Sequence, residues 1–120
     1  MSKILIVEDN DLNRRLFVDL LRTRGYTLFE ATDGKEALRL VKQENPDLIL
    51  MDIQLPTLSG LEITRKIRTM PIQQPRIVAV SAFALKQDAE KALKAGCDDY
   101  ISKPIAIASF FETIAKNLAA

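Results

Sequence analysis

Asp47-Leu48-Ile49-Leu50-Met51-Asp52 is the most apolar short run in the chain, and its reading decides the fold. A run of this length without polar alternation suits a strand covered on both faces, which places it at the centre of a sheet. Upstream, Asn45-Pro46 stops a helix, because proline disfavours helical backbone at the residue before it. That helix opens at Asp33-Gly34 and turns Ala37, Leu38 and Val41 inward. Before it, Thr27-Leu28-Phe29-Glu30-Ala31 reads as a weaker strand. Earlier still, Leu12, Leu16, Phe17, Leu20 and Leu21 form a helical stripe. Asn10 can cap its start and Gly25 can end it in a left-handed turn. Lys3-Ile4-Leu5-Ile6-Val7 is the first strand.

The same alternation runs downstream. Leu55-Pro56-Thr57-Leu58-Ser59-Gly60 is a loop, and Ser59 with Glu62 three residues on matches a capping box. The helix it opens carries Leu61, Ile63 and Ile67 and ends before Pro71. Arg76-Ile77-Val78-Ala79-Val80 is a fourth strand, followed by Ser81. A helix from Lys86 to Ala95 ends at Gly96, and Asp99-Tyr100-Ile101-Ser102 is a short fifth strand. The last helix shows Ile107, Phe110, Phe111, Ile114 and Leu118. Strand and helix thus alternate five times, which argues for an α/β parallel sheet with helices on both faces and right-handed crossovers.

Composition narrows the function. The 120 residues are expected to form one domain, 1–120. A net charge of +1 leaves no electrostatic footprint for nucleic acid or an anionic membrane. No apolar run approaches the roughly 18 residues of a membrane span. Met1-Ser2-Lys3 lacks a signal peptide's features. There is no histidine, so histidine-based catalysis and histidine-ligated zinc are excluded. The one cysteine, Cys97, forms no disulfide within the chain. It is read as a small core or helix-end residue in a reducing, cytoplasmic compartment. Chemistry must come from carboxylates, hydroxyls, Lys, Arg and backbone.

Ligands of open α/β sheets bind beyond the carboxyl ends of the strands. There the chain places Glu8-Asp9, Asp52, Ser81 and Lys103. Three clustered carboxylates repel one another, and a hard divalent cation such as Mg²⁺ relieves that repulsion through oxygen ligands. Lys103 and Ser81 are odd metal ligands but suit a phosphoryl group, the ammonium pairing with its oxygens and the hydroxyl donating to another. An aspartate can itself be the nucleophile, forming an aspartyl phosphate.

At this point the chain resembles the response regulator receiver domains of two-component systems. The matching pieces are Ile6-Val7-Glu8-Asp9-Asn10, Leu50-Met51-Asp52-Ile53-Gln54-Leu55-Pro56, Ser59-Gly60, Val80-Ser81-Ala82, Gly96-Cys97-Asp98-Asp99-Tyr100 and Ser102-Lys103-Pro104. The likeness runs from Ile4 to Leu118 and is strongest toward stand-alone receivers that regulate cell division. It implies a flavodoxin-like (CheY-like), doubly wound sheet of order 2-1-3-4-5 between two helical layers. Asp52 would be the phospho-acceptor, served from a partner's phosphohistidine. Asp9, Asp52 and the backbone carbonyl of Gln54 would bind Mg²⁺ directly and Glu8 through water, with Mn²⁺ or another divalent ion as substitute. Lys103 would bind the phosphoryl group, ahead of a cis peptide to Pro104. Ser81 and Tyr100 would be the switch residues, altering the surface of helix four, strand five and helix five. Gln54 and Phe83 would border the path of the hydrolytic water and tune phosphoryl lifetime. The expected partners are histidine kinases, phosphatases or phosphotransferases of a phosphorelay. They would dock on the helix-one face with Asn13, Arg14, Leu16 and Phe17. A monomer is expected, with phosphorylation as a potential trigger of dimerisation.

Each residue taken singly has a bland alternative. Glu8-Asp9 reads equally as a polar loop with Asn10 as cap, Asp52 as a turn residue, Ser81 as structural, Tyr100 as sheet-edge cover, and Lys103 as a solvated loop lysine. Their convergence on one rim is what separates the two readings. A hydrolase with an Asp nucleophile would want a second acid where Gln54 stands. A nucleotide or flavin module would want a glycine-rich loop where Glu8-Asp9-Asn10-Asp11 stands. The remaining alternatives keep the fold. They are a receiver excised from a hybrid histidine kinase or transcriptional regulator, and a binding module that is never phosphorylated.

Overall fold

Successive strand residues point to opposite faces, so an apolar run without alternation must serve two cores at once. The computed structural model, which describes residues 2–55, 59–82 and 86–120 with the Lys86 side chain excepted, shows both. Its strands are β1 (Lys3–Val7), β2 (Thr27–Ala31), β3 (Leu48–Asp52), β4 (Arg76–Ser81) and β5 (Asp99–Ser102). Its helices are α1 (Asp11–Arg22), α2 (Gly34–Glu44), α3 (Gly60–Arg68), α4 (Lys86–Ala95) and α5 (Ile107–Ala119). All strand pairs are parallel, in the order β2-β1-β3-β4-β5. Leu5, Val7, Ile49, Met51, Ile77 and Ala79 meet Ala37 and Val41 of α2, Ile63 and Ile67 of α3 and Ala92 of α4. The intervening Ile4, Ile6, Leu48, Leu50, Val78 and Val80 meet Phe17, Val18 and Leu21 of α1 and Phe110 and Ile114 of α5. This is the doubly wound α/β architecture that the resemblance implies.

The helix starts follow the cap chemistry. Asn10 accepts the Asn13 N–H at 2.9 Å, Asp33 the Glu36 N–H at 2.8 Å, and Ser59 the Glu62 N–H at 3.3 Å. Each satisfies an amide that the helix leaves unpaired. Asn45 ends α2 in the left-handed region, at φ 49°, just before Pro46.

Three details depart from the sequence reading. Helix α1 stops at Arg22 with Thr23 as cap, and Gly25, at φ 78°, belongs to the turn that follows. Phe17 is no part of an exposed face; it is buried and stacks on Phe110 at 5.9 Å between ring centroids. Leu12 and Ile107 are exposed rather than core, while Leu16 is exposed as its place on the docking face requires. Leu12 lies on the side of α1 opposite its buried Phe17, Val18 and Leu21, and Ile107 is the first residue of α5.

Candidate functional site

Where β1 ends, the Glu8 N–H still pairs with the Ala31 carbonyl at 3.0 Å. This carries the Glu8 side chain to the carboxyl rim, where it is 1% exposed. Its Oε2 accepts the Asn10 N–H at 3.2 Å and its Oε1 accepts from Lys103 Nζ at 3.1 Å. Asp52, the last residue of β3, is 4% exposed. Its Oδ1 accepts the Gln54 N–H at 2.9 Å, and its Oδ2 lies 4.0 Å from Lys103 Nζ. Asp9 is exposed beside them, and one carboxylate oxygen from each of Glu8, Asp9 and Asp52 lies within 4.8 Å of the others.

Neighbouring backbone fixes this corner. The Lys103 N–H donates to the Ser81 carbonyl at 2.7 Å, extending the β4–β5 ladder by one residue, and the Lys103-Pro104 peptide is cis. Gly60 opens α3 directly against the end of β3. A Cβ there would lie 2.6 Å from Ile53 Cα and overlap the Asp52 carbonyl oxygen, so only glycine lets the helix start so close to Asp52.

The electrostatics are lopsided. Three carboxylates gather, and among the described residues the cation paired with them is Lys103. Burial, then hydrogen bonding and charge repulsion from Asp52, push the Glu8 carboxyl up to about 7, against the opposing pull of Lys103 and the Asn10 N–H. The donor set fits a hard divalent ion. It offers only oxygens, two of the carboxylates are buried and held, and the third faces solvent where the ion would keep its waters.

The other residues singled out from the sequence fall in three places. Ser81 is buried at the end of β4, and its Oγ donates to Gln54 Oε1 at 3.5 Å; the Ala82 N–H donates to the same oxygen at 3.1 Å. Gln54 therefore bridges the loops after β3 and β4. Tyr100 is half-buried in β5 and packs against the α2–α3–α4 face of the sheet. Phe83 lies outside the described residues. Arg14, read as part of an exposed docking face, is 17% exposed and turned toward the Glu8 carbonyl. Its position in the first turn of α1 was the available signal, because helical side chains lean toward the helix start.

The model of the response regulator receiver domain family matches residues 4–115. The chain is 47% identical over 118 residues to the polar-differentiation response regulator DivK of Brucella ovis, covering 98% of this chain and 96% of that protein. Among solved structures, the receiver domain of sensor histidine kinase PA1611 from Pseudomonas aeruginosa PAO1, with a magnesium ion coordinated in its active-site cleft, superposes with a TM-score of 0.91. It is 36% identical, and the match covers 99% of this chain and 98% of that one. A chain of the Saccharomyces cerevisiae co-crystal of the phosphotransfer protein Ypd1 with the receiver domain of Ssk1 superposes with a TM-score of 0.90 at 32% identity. That match covers 98% of this chain and 89% of the other. With its five-stranded 2-1-3-4-5 sheet and acidic carboxyl rim, the chain belongs to the response regulator receiver domains of two-component signal transduction.

Proposed function

We propose that the chain works as one receiver unit in which Asp52 accepts a phosphoryl group from a phosphohistidine of a partner protein. The observation that carries this reading is the gathering of Glu8, Asp9 and Asp52 within 4.8 Å, with Lys103 Nζ 4.0 Å from Asp52 Oδ2. An Asp52 carboxylate oxygen attacks phosphorus. The new P–O bond forms as the P–N bond breaks, and that electron pair stays on the donor imidazole. Such a transfer needs alignment and charge neutralisation more than covalent help. Mg²⁺, held by Asp9, Asp52 and the Gln54 carbonyl with Glu8 behind a water, would supply that neutralisation. The Lys103 ammonium, already within reach of Asp52, pairs with a phosphoryl oxygen and exchanges its hold on Glu8 for it. The chain is a switch that assists its own phosphorylation and dephosphorylation, not an enzyme acting on other molecules.

Phosphorylation then draws the Ser81 hydroxyl from Gln54 toward the phosphoryl group and lets Tyr100 move inward, changing the α4–β5–α5 surface. A local charge event thus biases a two-state element. Exposed Leu12 and Leu16 on α1 stand beside the acidic corner and suit docking of a histidine kinase or phosphotransferase. The 47% identity to the polar-differentiation response regulator DivK supports a regulatory role of the kind that name states, in line with the cell-division role that the resemblance implies. Among the described residues no helix is long and apolar enough to cross a membrane.

The test is intact mass after incubation with acetyl phosphate, with and without Mg²⁺, for wild type and Asp52→Asn. One phosphoryl group gained only with Mg²⁺ and only in wild type is the expected result. No gain, even with a histidine kinase present, overturns the assignment of Asp52.

A further inference from the structure

The Glu8 carbonyl lies one residue past the last β1–β2 pair, Val7 with Ala31. A backbone acceptor so placed needs a partner from elsewhere, and Arg14 provides it. Arg14 Nη1 donates to Glu8 O at 3.1 Å, Nε to Glu30 Oε1 on β2 at 3.2 Å, and Nη2 to Asp11 Oδ1 at 2.7 Å. The backbone N–H of the same residue donates to the Asn10 carbonyl at 2.9 Å. Arg14 therefore holds the carbonyls of both residues that flank Asp9, one with its side chain and one with its main chain.

A guanidinium presents its donors in a rigid fork. Three acceptors on three segments, namely the end of β1, the strand β2 and the first turn of α1, fix a single orientation of that fork. The Glu8–Asn10 backbone is fixed with it, while the Asp9 carboxylate itself stays exposed. We propose that Arg14 is a positioning residue of the acidic corner, holding the backbone on either side of Asp9 so that Glu8 and Asp9 present their carboxylates in register with Asp52 to a divalent cation. This rests on the reading of those three acids as the cation's carboxylates. A loop ordered beforehand loses less conformational entropy when the ion binds, so the effect falls on metal affinity.

The experiment is calorimetric titration of the metal-free protein with Mg²⁺ for wild type, Arg14→Gln, Arg14→Lys and Glu30→Ala, each checked for folding by its melting curve. Arg14→Gln and Arg14→Lys each raise the Mg²⁺ Kd by about tenfold, the lower end of what groups that hold metal ligands in place contribute. Glu30→Ala, which leaves the fork two of its acceptors, raises it by less. A folded Arg14→Gln protein with wild-type Kd overturns the proposal, since a merely structural arginine would lower the melting temperature and leave the Kd alone. Wild-type affinity in Arg14→Lys beside weak binding in Arg14→Gln also overturns it, because charge without the fork would then suffice. If Arg14→Gln does not fold, an unchanged Kd in Glu30→Ala does the same. Wild-type protein that takes up no Mg²⁺ removes the acidic corner's role as a cation site, and the proposal with it.

Discussion

The two ends of the sheet carry the same kinds of side chain and arrange them in opposite ways. At the amino end, Asp98 Oδ2 accepts the Ile77 N–H at 2.8 Å and Arg68 Nη2 at 2.8 Å, and Oδ1 lies 3.5 Å from Arg76 Nη1. Arg68 also donates to the Gly96 and Pro75 carbonyls. Asn117 links Arg76 to Asp99, which Lys116 approaches at 3.2 Å. Here two carboxylates meet three cations and an amide. At the carboxyl end, three carboxylates meet Lys103 among the described residues. A polar network whose charges are paired fixes structure even with Arg76 Nε left buried and without a hydrogen-bond partner, whereas an acid cluster short of cations stores repulsion that a bound ion, or a proton on Glu8, relieves. The contrast supports the proposal that the carboxyl end is the reactive one and that the amino end serves stability.

Magnesium tests this contrast most strongly. An ion that binds only the folded chain stabilises it by about 2.7 kcal/mol at a hundredfold excess over its Kd. Urea unfolding with and without Mg²⁺ should show that gain in wild type and in Asp98→Ala, and lose most of it in Asp9→Asn and Asp52→Asn. A gain that survives Asp52→Asn would put the ion elsewhere. In metal-free protein the same variants separate by sign. Asp98→Ala strands the Ile77 N–H and part of the Arg68 fork, and costs about 2 kcal/mol. Asp52→Asn removes one of the repelling charges and keeps an acceptor for the Gln54 N–H, so its stability equals wild type or exceeds it by up to about 1 kcal/mol. A loss above that size in Asp52→Asn would mean that the acidic corner is as structural as the other end.

The two ends also differ in how far the sequence discloses them. The carboxyl rim is legible because parallel strands aim their ends at one edge, so Glu8-Asp9, Asp52, Ser81 and Lys103 converge once five strands are recognised. The core is legible from the unbroken apolar runs of β1, β3 and β4. Which helix residues face it is not. Phe17 and Leu12 have similar hydrophobicity, yet Phe17 is buried and Leu12 exposed, because they lie on different sides of α1 and the sheet covers only the side with Phe17, Val18 and Leu21. Arg14 escaped for a related reason. Its acceptors Glu8, just past β1, and Glu30, on β2, lie far apart in the chain, and no local period brings them together. The Arg68–Asp98–Arg76 network joins residues up to 30 positions apart and leaves no motif at all.

The smallest expected effect separates the two ends by pH. Burial alone would raise the Asp99 carboxyl. The Asn117 amide, the Tyr100 N–H and the Lys116 ammonium together outweigh it and hold the carboxyl below its ordinary value of 3.8. A carboxyl that is more acidic folded than unfolded binds fewer protons in the folded state. Its contribution is therefore complete above the ordinary carboxylate range and is lost as pH falls through the lower folded value. Lys116 is 70% exposed, so the contribution stays within about 1 kcal/mol. Urea midpoints of wild type and Asp99→Asn should differ near neutral pH and converge as acid protonates Asp99. A difference that persists unchanged into acid would mean that packing, not charge, holds Asp99. The amino end would then owe its stability to shape rather than to the pairing that distinguishes it from the carboxyl rim.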